Sequence, residues 1–253
     1  MSKNLCDVID NKGFIIGPFM KSSDPAMVEI VGHAGFDFVI LDMEHGPVGL
    51  QQMQNMVRAA NVANIIPIIR TRDKSPESIS QALDIGAQAI QVPQVTTVEE
   101  AQAVVQSAKF FPAGNRGVCR FVRAAGYASI NRKDYFEQAN STQIIIQIEG
   151  VEALKNFDKL LNVAEIDILF IGPYDLSQSM GFPGEIDHPD VIVALKTLVN
   201  KALNNNKYVG IFTDTIENAK IWKDAGVHYL SYSVDMGLFL SICEHVVREI
   251  RYR

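Results

Sequence analysis

The chain has 253 residues, of which 47% are hydrophobic and 21% are charged. This length is typical of one (β/α)8 barrel, and the hydrophobic fraction supports a sizeable core and argues against intrinsic disorder. The formal net charge of −6 disfavours a nucleic-acid or membrane-surface partner, because such partners attract basic proteins.

The cysteines indicate a reducing compartment, and the N-terminal residues do not resemble a signal peptide. Cys6, Cys119 and Cys243 are odd in number and far apart, unlike a disulfide framework or a zinc motif. Residues 1–11 contain acidic side chains and lack the apolar core of a signal peptide. No segment approaches the roughly 18 apolar residues of a membrane span. We therefore expect a cytoplasmic protein.

Eight apolar runs predict β-strands, since continuous Ile, Leu, Val and Phe runs are typical of strands buried on both faces. The predicted strands are residues 14–19, 37–41, 65–69, 87–92, 143–148, 167–171, 208–212 and 228–232. Three of them follow a helix end and a glycine, at Gly35, Gly86 and Gly226. Glycine favours the left-handed conformation that ends a helix, so each junction is half of a βα unit.

Helix signals lie between the strands. They are the N-caps Asp24 and Ser75, each followed by proline, the capping box Thr97–Glu100, the segment Asp214–Glu217 and an amphipathic last helix at 236–250. The alternation predicts a parallel sheet, and eight units favour a closed TIM barrel as a single domain over residues 1–253. The alternative is an open doubly wound sheet, but no G-x-G-x-x-G follows the first strand.

One connection is far longer than the others. Residues 110–141 separate strands four and five and contain several aromatic and basic side chains, including Arg116, Arg120, Arg123, Arg132 and Lys133. Connections of this length are usually functional or disordered. A solvated excursion or a subunit contact is the favoured interpretation, and a partial lid over an anionic substrate is the alternative.

Carboxylates follow two of the apolar runs. Glu149 ends strand five, and Asp175 follows strand six after Gly172, Pro173 and Tyr174. Unpaired burial of a charge is costly, and ligands bind just beyond the carboxyl ends of parallel strands. Two carboxylates there predict a site for a hard divalent cation, with water and substrate as its other ligands.

The ends of strands two and three add further polar groups to the same predicted face. Strand two leads into Asp42, Glu44 and His45, and strand three ends at Arg70. Each residue also has an ordinary structural explanation: an ion pair of Arg70 with Asp42 or Glu44, a loop hydrogen bond for His45, and helix capping for Glu149 and Asp175. Several such residues at four strand ends nevertheless indicate one small ligand.

These side chains suit enolate chemistry. A cation on Glu149 and Asp175 would chelate a 2-oxo acid as a Lewis acid, and Arg70 would stabilise the same developing charge. His45 is a suitable general base, so activity is expected to fall as it protonates. The amides of Gly172 to Asp175 would hold the carboxylate. A Schiff base is disfavoured, because every lysine lies in a polar sequence context, and no clear phosphate-binding signature is present.

At these residues the chain resembles the HpcH/HpaI aldolases, class II pyruvate aldolases with a barrel of the phosphoenolpyruvate/pyruvate type. The motifs are F-D-F-V-I-L-D-M-E-H-G-P from Phe36, P-I-I-R-T from Pro67, G-A-Q-A-I-Q-V-P from Gly86, N-R-G-V from Asn115, I-Q-I-E from Ile146 and F-I-G-P-Y-D-L-S from Phe170. They span nearly the whole chain in the family's order.

The resemblance implies metal-dependent cleavage of a 4-hydroxy-2-oxo acid to pyruvate, or a close relative, and an aldehyde. It assigns Glu149 and Asp175 to a divalent metal (Mg²⁺, Mn²⁺ or Co²⁺), Arg70 to the enolate, and His45, oriented by Asp42 and Asp84, to the base. It places Gln147, Gly172, Pro173, Tyr174, Asp175 and Phe212 at the substrate.

The resemblance also implies a hexamer of paired subunits that exchange the last helix. Asp84 lies near a predicted helix C-terminus, at the wrong end for its own site, so a role across a subunit contact is expected. Cys119, Phe19 and Tyr174 depart from the family pattern, which leaves the aldehyde pocket open. The alternatives are a related lyase acting on acyl-CoA thioesters, with the 116–133 segment as its nucleotide groove, and a non-catalytic binding subunit.

Overall fold

The computed structural model describes residues 4–251, and its eight parallel strands form a closed barrel in the order β1 to β8. The strands are β1 Ile15–Met20, β2 Phe38–Asp42, β3 Ile66–Arg70, β4 Ala89–Val92, β5 Gln143–Ile148, β6 Ile168–Ile171, β7 Tyr208–Thr213 and β8 Tyr229–Val234. All eight predicted strands are confirmed with small shifts at their ends. The alternative of an open doubly wound sheet is wrong, because β1 pairs with β8.

Helices alternate with the strands. They are α1 Leu5–Lys12, α2 Pro25–His33, α3 Leu50–Val62, α4 Pro76–Asp84, α5 Val98–Ala108, α6 Arg132–Asn140, α7 Gly150–Leu160, α8 Pro173–Ser179, α9 Pro189–Asn204, α10 Ile216–Asp224 and α11 Asp235–Arg251. The side chains of Asp24, Ser75 and Thr97 accept hydrogen bonds from first-turn amides, as their sequence context predicts. None of the helices within residues 4–251 is long and apolar enough to cross a membrane.

The core has two main layers. Inward-facing side chains of the strands, among them Phe38, Ile68 and Phe170, fill the barrel interior. Outward-facing strand residues pack against the surrounding helices and form the larger cluster. The sequence analysis did not anticipate α1, whose Leu5 and Ile9 belong to the interior cluster and so close the barrel beneath the strands.

The long connection lies at the end of the barrel opposite to the carboxyl ends of the strands. Arg116 pairs with Asp84 at the C-terminus of α4, and Arg123 donates to the Ile85 carbonyl. Lys109 donates to the Thr142 carbonyl just before β5 begins. The interpretation as a lid over the site of its own barrel is therefore wrong. The segment is instead an ordered excursion with a short 3₁₀ helix, α6 and its own small apolar cluster.

Gly17 in β1 provides a test of the interior packing. A Cβ there would lie 2.1 Å from the Phe38 carbonyl oxygen and 2.5 Å from its ring. We expect Gly17→Ala to cost about 1–3 kcal/mol through overpacking and to lower the thermal midpoint by several degrees. The matched control is Gly49→Ala, because a Cβ at Gly49 meets nothing within 4 Å. Equal midpoints for the two variants in a calorimetric scan would contradict this account of the core.

Candidate active site

The site is built on a buried ion pair between β2 and β3. Strand register places Asp42 directly beside Arg70. Arg70 donates from Nε to Oδ1 of Asp42 at 2.8 Å and from Nη2 to Oδ2 at 2.6 Å. Burial alone would raise the pKa of Asp42, but the hydrogen bonds and charge of Arg70 outweigh it and hold that pKa below its usual range. Asp42 is therefore a permanent anion that fixes the guanidinium plane.

Glu44 and His45 extend this pair toward the surface. Arg70 Nη1 lies 3.0 Å from Oε2 of Glu44, and His45 Nε2 lies 3.8 Å from the same oxygen. The backbone amide of His45 donates to Asp42 at 3.2 Å, whereas its imidazole is 62% exposed. Asp42 thus anchors the backbone of His45, and Glu44 is the acid beside its ring.

Glu149 directly follows β5 and precedes α7, but its side chain makes no capping hydrogen bond to that helix. Its Oε1 instead accepts the Gln94 amide at 2.7 Å. Burial raises the pKa of Glu149 to about 7, and the nearby charges of Asp175 and Glu44 add to the effect. The buried carboxylate therefore lies in an electrostatic environment that a cation would relieve.

Asp175 lies in the first turn of α8, whose N-cap is Gly172 and has no side-chain capping bond. Its Oδ2 lies 3.3 Å from the position of a Cβ on Gly172, so the carboxylate folds back over the strand end. Glu149 is the N-cap residue of α7 and Asp175 lies in the first turn of α8, but neither helix has a side-chain capping hydrogen bond.

A chain of buried side chains supports Glu149 from inside the barrel. The Tyr229 hydroxyl donates to Gln91 at 3.0 Å, and the Gln91 amide donates to Gln147 at 2.9 Å. Gln147 in turn donates to Oε1 of Glu149 at 3.4 Å. All donors point toward the carboxylate, which fixes its orientation. The sequence analysis included Gln147 but missed Gln91 and Tyr229.

A cavity of about 200 Å³ opens beside these groups. Its lining residues are Phe19, Lys21, Arg70, Gln147, Phe170, Gly172, Pro173, Tyr174, Asp175, Phe212 and Val234. Aromatic rings form much of the wall, and the Arg70 guanidinium carbon lies 4.6 Å from the centre of the Phe19 ring. Seven of the predicted site residues therefore converge on one small, partly apolar space.

The backbone near the start of α8 offers fewer donors than the sequence analysis assumed. The Gly172 amide donates to the Ile148 carbonyl at 3.4 Å, and Pro173 has no N–H. The Tyr174 and Asp175 amides remain, because first-turn N–H groups have no helical acceptor. The Tyr174 hydroxyl donates to Asp214 just beyond β7, and this hydrogen bond, together with burial, raises the pKa of Tyr174 to about 12. The phenol therefore stays protonated and holds the outer wall in place.

Asp84 is the one predicted catalytic residue that lies apart from the others. It ends α4 and accepts from Arg116 Nη2 at 2.6 Å, at the opposite end of the barrel. A direct contact with His45 of the same subunit is absent from the described hydrogen bonds and ion pairs.

The lysines correct one part of the sequence analysis. Lys21, which follows β1, lines the cavity beside aromatic rings, although its sequence context is polar. Lys109 is buried at the end of α5, where the carbonyl oxygens of Asn140 and Thr142 accept hydrogen bonds from its ammonium group. The position of Lys21 at a strand end was the available signal for its role in the site.

The donor set fits a hard divalent cation of the kind that the resemblance implies. Within residues 4–251 no group of three or more His, Cys, Asp or Glu side chains forms a complete metal site. Glu149 and Asp175 would supply two carboxylates to such an ion, and water and substrate oxygens would fill its other positions.

Comparison with known proteins decides the family. The model for the family described as HpcH/HpaI aldolase/citrate lyase matches residues 16–241. The chain belongs to this family. It is 34% identical over 229 residues to a hydroxypyruvate/pyruvate aldolase of Roseobacter denitrificans. The aligned residues cover 90% of this chain and 89% of the relative.

Further relatives agree. The chain is 34% identical over 226 residues to a 2-keto-3-deoxy-L-rhamnonate aldolase of Escherichia coli strain K12, with 88% and 84% of the two chains covered. A solved family structure from Burkholderia cenocepacia matches with a TM-score of 0.92 and 29% identity over 98% and 100% of the chains. The predicted family, the (β/α)8 barrel and the assignment to the carbon–carbon lyases are confirmed.

The buried ion pair makes Arg70→Lys a sharp test of the site. Lysine cannot bridge both oxygens of Asp42 while contacting Glu44, so the positively charged group at position 70 would lose its fixed orientation. We expect kcat for carbon–carbon cleavage to fall by roughly 100-fold or more. The control is Arg58→Lys on the exposed surface of α3, which should retain wild-type kcat. An active Arg70→Lys enzyme would show that the guanidinium geometry is dispensable.

Proposed function

We propose that this family member is a metal-dependent class II aldolase that reversibly cleaves a 4-hydroxy-2-oxo acid to pyruvate, or a close 2-oxo acid, and an aldehyde. The observation that carries the proposal is the placement of Glu149 and Asp175. They follow the adjacent strands β5 and β6, and neither side chain caps a helix. Arg70 lines the same cavity as Asp175, which matches the needs of an enolate with a negative oxygen.

Glu149 and Asp175 would hold the divalent cation, and Mg²⁺, Mn²⁺ and Co²⁺ all accept carboxylate ligands. Bound there, the cation would supply Lewis-acid stabilisation of the pyruvate enolate. Gln147 supports this arrangement, because its donation to Glu149 keeps one carboxylate oxygen oriented.

The protein's own groups stabilise the enolate, transfer the proton and bind the substrate. Arg70 carries five N–H donors, of which three face Asp42 and Glu44, so the others stay available for the enolate oxygen. His45 takes the proton from the pyruvate methyl group and returns it in the reverse direction. The amides of Tyr174 and Asp175 bind the substrate carboxylate, while Phe212 forms part of the aldehyde wall.

The alternative functions have less support. An acyl-CoA lyase would need a basic nucleotide groove, for which residues 116–133 were the candidate. That segment packs against the end of α4, away from the cavity, so it does not extend the site of its own barrel. A non-catalytic binding subunit would not require Arg70, Glu149 and Asp175 to converge. It would also tolerate Glu149→Ala without loss of function.

Metal removal tests the proposal. With pyruvate and a short hydroxyaldehyde as substrates, we expect EDTA to abolish aldol formation and Mg²⁺ or Mn²⁺ to restore it. Glu149→Gln should lower activity by at least about 100-fold and weaken Mn²⁺ binding in calorimetry, because an amide replaces a carboxylate ligand. Glu152→Gln, on the exposed face of α7, is the matched control and should retain both properties.

Two results would contradict the proposal. One is undiminished turnover after complete metal removal. The other is a covalent pyruvate adduct on lysine after borohydride reduction, and Lys21→Met would show whether the cavity lysine carries it.

We also propose that two copies exchange α11 and that three such pairs form a hexamer. Asp235 is the only buried residue of α11 among those described, and its apolar side chains are exposed: Met236, Phe239, Leu240, Ile242, Val246, Val247 and Ile250. An apolar groove of about 320 Å³ lies on the outside of β1 and β8, where the helix after β8 would pack in a self-contained barrel. Assembly would also let Asp84 approach His45 of a neighbour, since the Asp84 side chain is 30% exposed.

If α11 is exchanged between subunits, one charge on its apolar face will disrupt the hexamer. Phe239 is 64% exposed in the isolated chain, so Phe239→Asp should leave the monomer fold intact and shift light-scattering mass below the hexamer. Val62→Asp introduces the same charge at a residue that is 76% exposed on α3 and should remain hexameric. A monomeric wild-type protein at micromolar concentration would contradict the proposal.

We propose a reducing, cytoplasmic location and small-molecule partners. All three cysteines are free, which supports the reducing compartment. The acidic composition supports the expectation that no nucleic acid is bound.

A further inference from the structure

Lys21 is a cation in the cavity for which the proposed reaction has no role so far. It follows β1 directly and lines the cavity with Phe19, two residues earlier on the same side of the chain. Its side chain is 31% exposed, so it is neither buried in the core nor free on the surface. The position opens toward the same space as Arg70.

The backbone of Lys21 is held rigidly. The amides of Lys21 and Ser22 donate to the two carboxylate oxygens of Asp235 at 3.0 and 2.9 Å. Asp235 begins α11 and is 2% exposed, so a buried anion fixes the turn after β1. The ammonium group is thus presented from a fixed base, as a binding group requires.

The ammonium group of Lys21 forms only a long ion pair, with Asp42. The nearest carboxylate oxygen is Oδ2 of Asp42 at 4.0 Å, beyond hydrogen-bond distance. Asp42 already accepts two bonds from Arg70 and the amides of Glu44 and His45. Lys21 therefore has donors available for a ligand, whereas Arg70 is largely engaged.

The position of Lys21 assigns it to the second substrate. The backbone amides proposed for the pyruvate carboxylate follow β6, and β7 and β8 separate that strand from β1 around the barrel. The wall near β6 and β7 already holds the proposed pyruvate carboxylate and carries the acidic residue Asp214, bonded to Tyr174, so a second carboxylate is disfavoured on that side. A short second substrate suits the cavity of about 200 Å³.

We propose that Lys21 binds a carboxylate of the acceptor substrate, so that the enzyme prefers short carbonyl acids over neutral aldehydes. This assignment rests on the proposed aldolase function. With glyoxylate as acceptor, the methyl carbon of pyruvate loses a proton to His45 and forms a bond to the aldehyde carbon. The aldehyde oxygen gains a proton, and the product is a 4-hydroxy-2-oxo dicarboxylate, with no oxidant or reductant required.

Glyoxylate and glycolaldehyde provide a matched pair of probes, since both are two-carbon aldehydes and only glyoxylate carries a carboxylate. We expect wild-type enzyme with Mg²⁺ to have the higher kcat/KM for glyoxylate. In Lys21→Met the glyoxylate-to-glycolaldehyde ratio of kcat/KM should fall about 10- to 100-fold, mainly through KM, because a charge-assisted hydrogen bond is lost. Lys21→Arg should restore most of the ratio.

Controls separate this role from a structural one. Lys201→Met removes an exposed lysine paired with Asp158 and should keep the wild-type ratio. Lys21→Gln provides a second neutral variant if Lys21→Met unfolds, with the thermal midpoint as the check. An unchanged ratio in a folded neutral variant, or a parallel fall for both aldehydes, would overturn the assignment of Lys21.

Exchange of the pyruvate methyl protons with D₂O tests enolate formation separately, because it requires no aldehyde acceptor. NMR measures this exchange. Wild-type enzyme that fails to exchange them with metal present would contradict the aldolase function itself. Metal-dependent exchange together with an unchanged acceptor ratio would leave the aldolase function in place and overturn only the role of Lys21.

Discussion

The bidentate ion pair between Asp42 and Arg70 is the interaction on which the site depends. It forms because the parallel register of β2 and β3 places the two residues side by side at the carboxyl ends of their strands. Removing one partner of such a buried pair leaves an uncompensated charge, which typically lowers the free energy of unfolding by about 3–5 kcal/mol. The same pair fixes the His45 backbone through Asp42 and positions Arg70 over Phe19, so stability and chemistry share one structural element.

The electrostatics of the site follow from burial and from the number of acids that the barrel brings together. Asp42 is compensated by Arg70, but Glu149 has Asp175 and Glu44 as neighbours, and its pKa rises to about 7 as a result of burial and these charges. A cation would relieve this buried negative charge, which is why we propose a divalent ion there. The hydrogen-bonded chain from Tyr229 to Gln147 orients Oε1 of Glu149. Because α7 has no side-chain capping hydrogen bond, a role in helix capping does not explain this chain.

Local sequence predicted the strands and the acids at their ends, since continuous apolar runs and strand termini are short-range features. Lys21 also follows a strand, but the contact that fixes its turn comes from Asp235, 214 residues away, and forms only once the barrel closes. Topology alone would have excluded the lid, because residues 110–141 join a helix to the next strand and must lie at the barrel's other end. The role proposed for Asp84 involves a neighbouring chain, and the spacing of residues in one sequence does not describe contacts between chains.

A crystal structure with Mn²⁺ and pyruvate, located by anomalous scattering, tests the central claim most directly. The account predicts one strong Mn²⁺ peak in contact with both Glu149 and Asp175, with pyruvate oxygens beside that ion and beside Arg70. An ion bound elsewhere, or pyruvate bound in the cavity without contact to Glu149, Asp175 and Arg70, would contradict it.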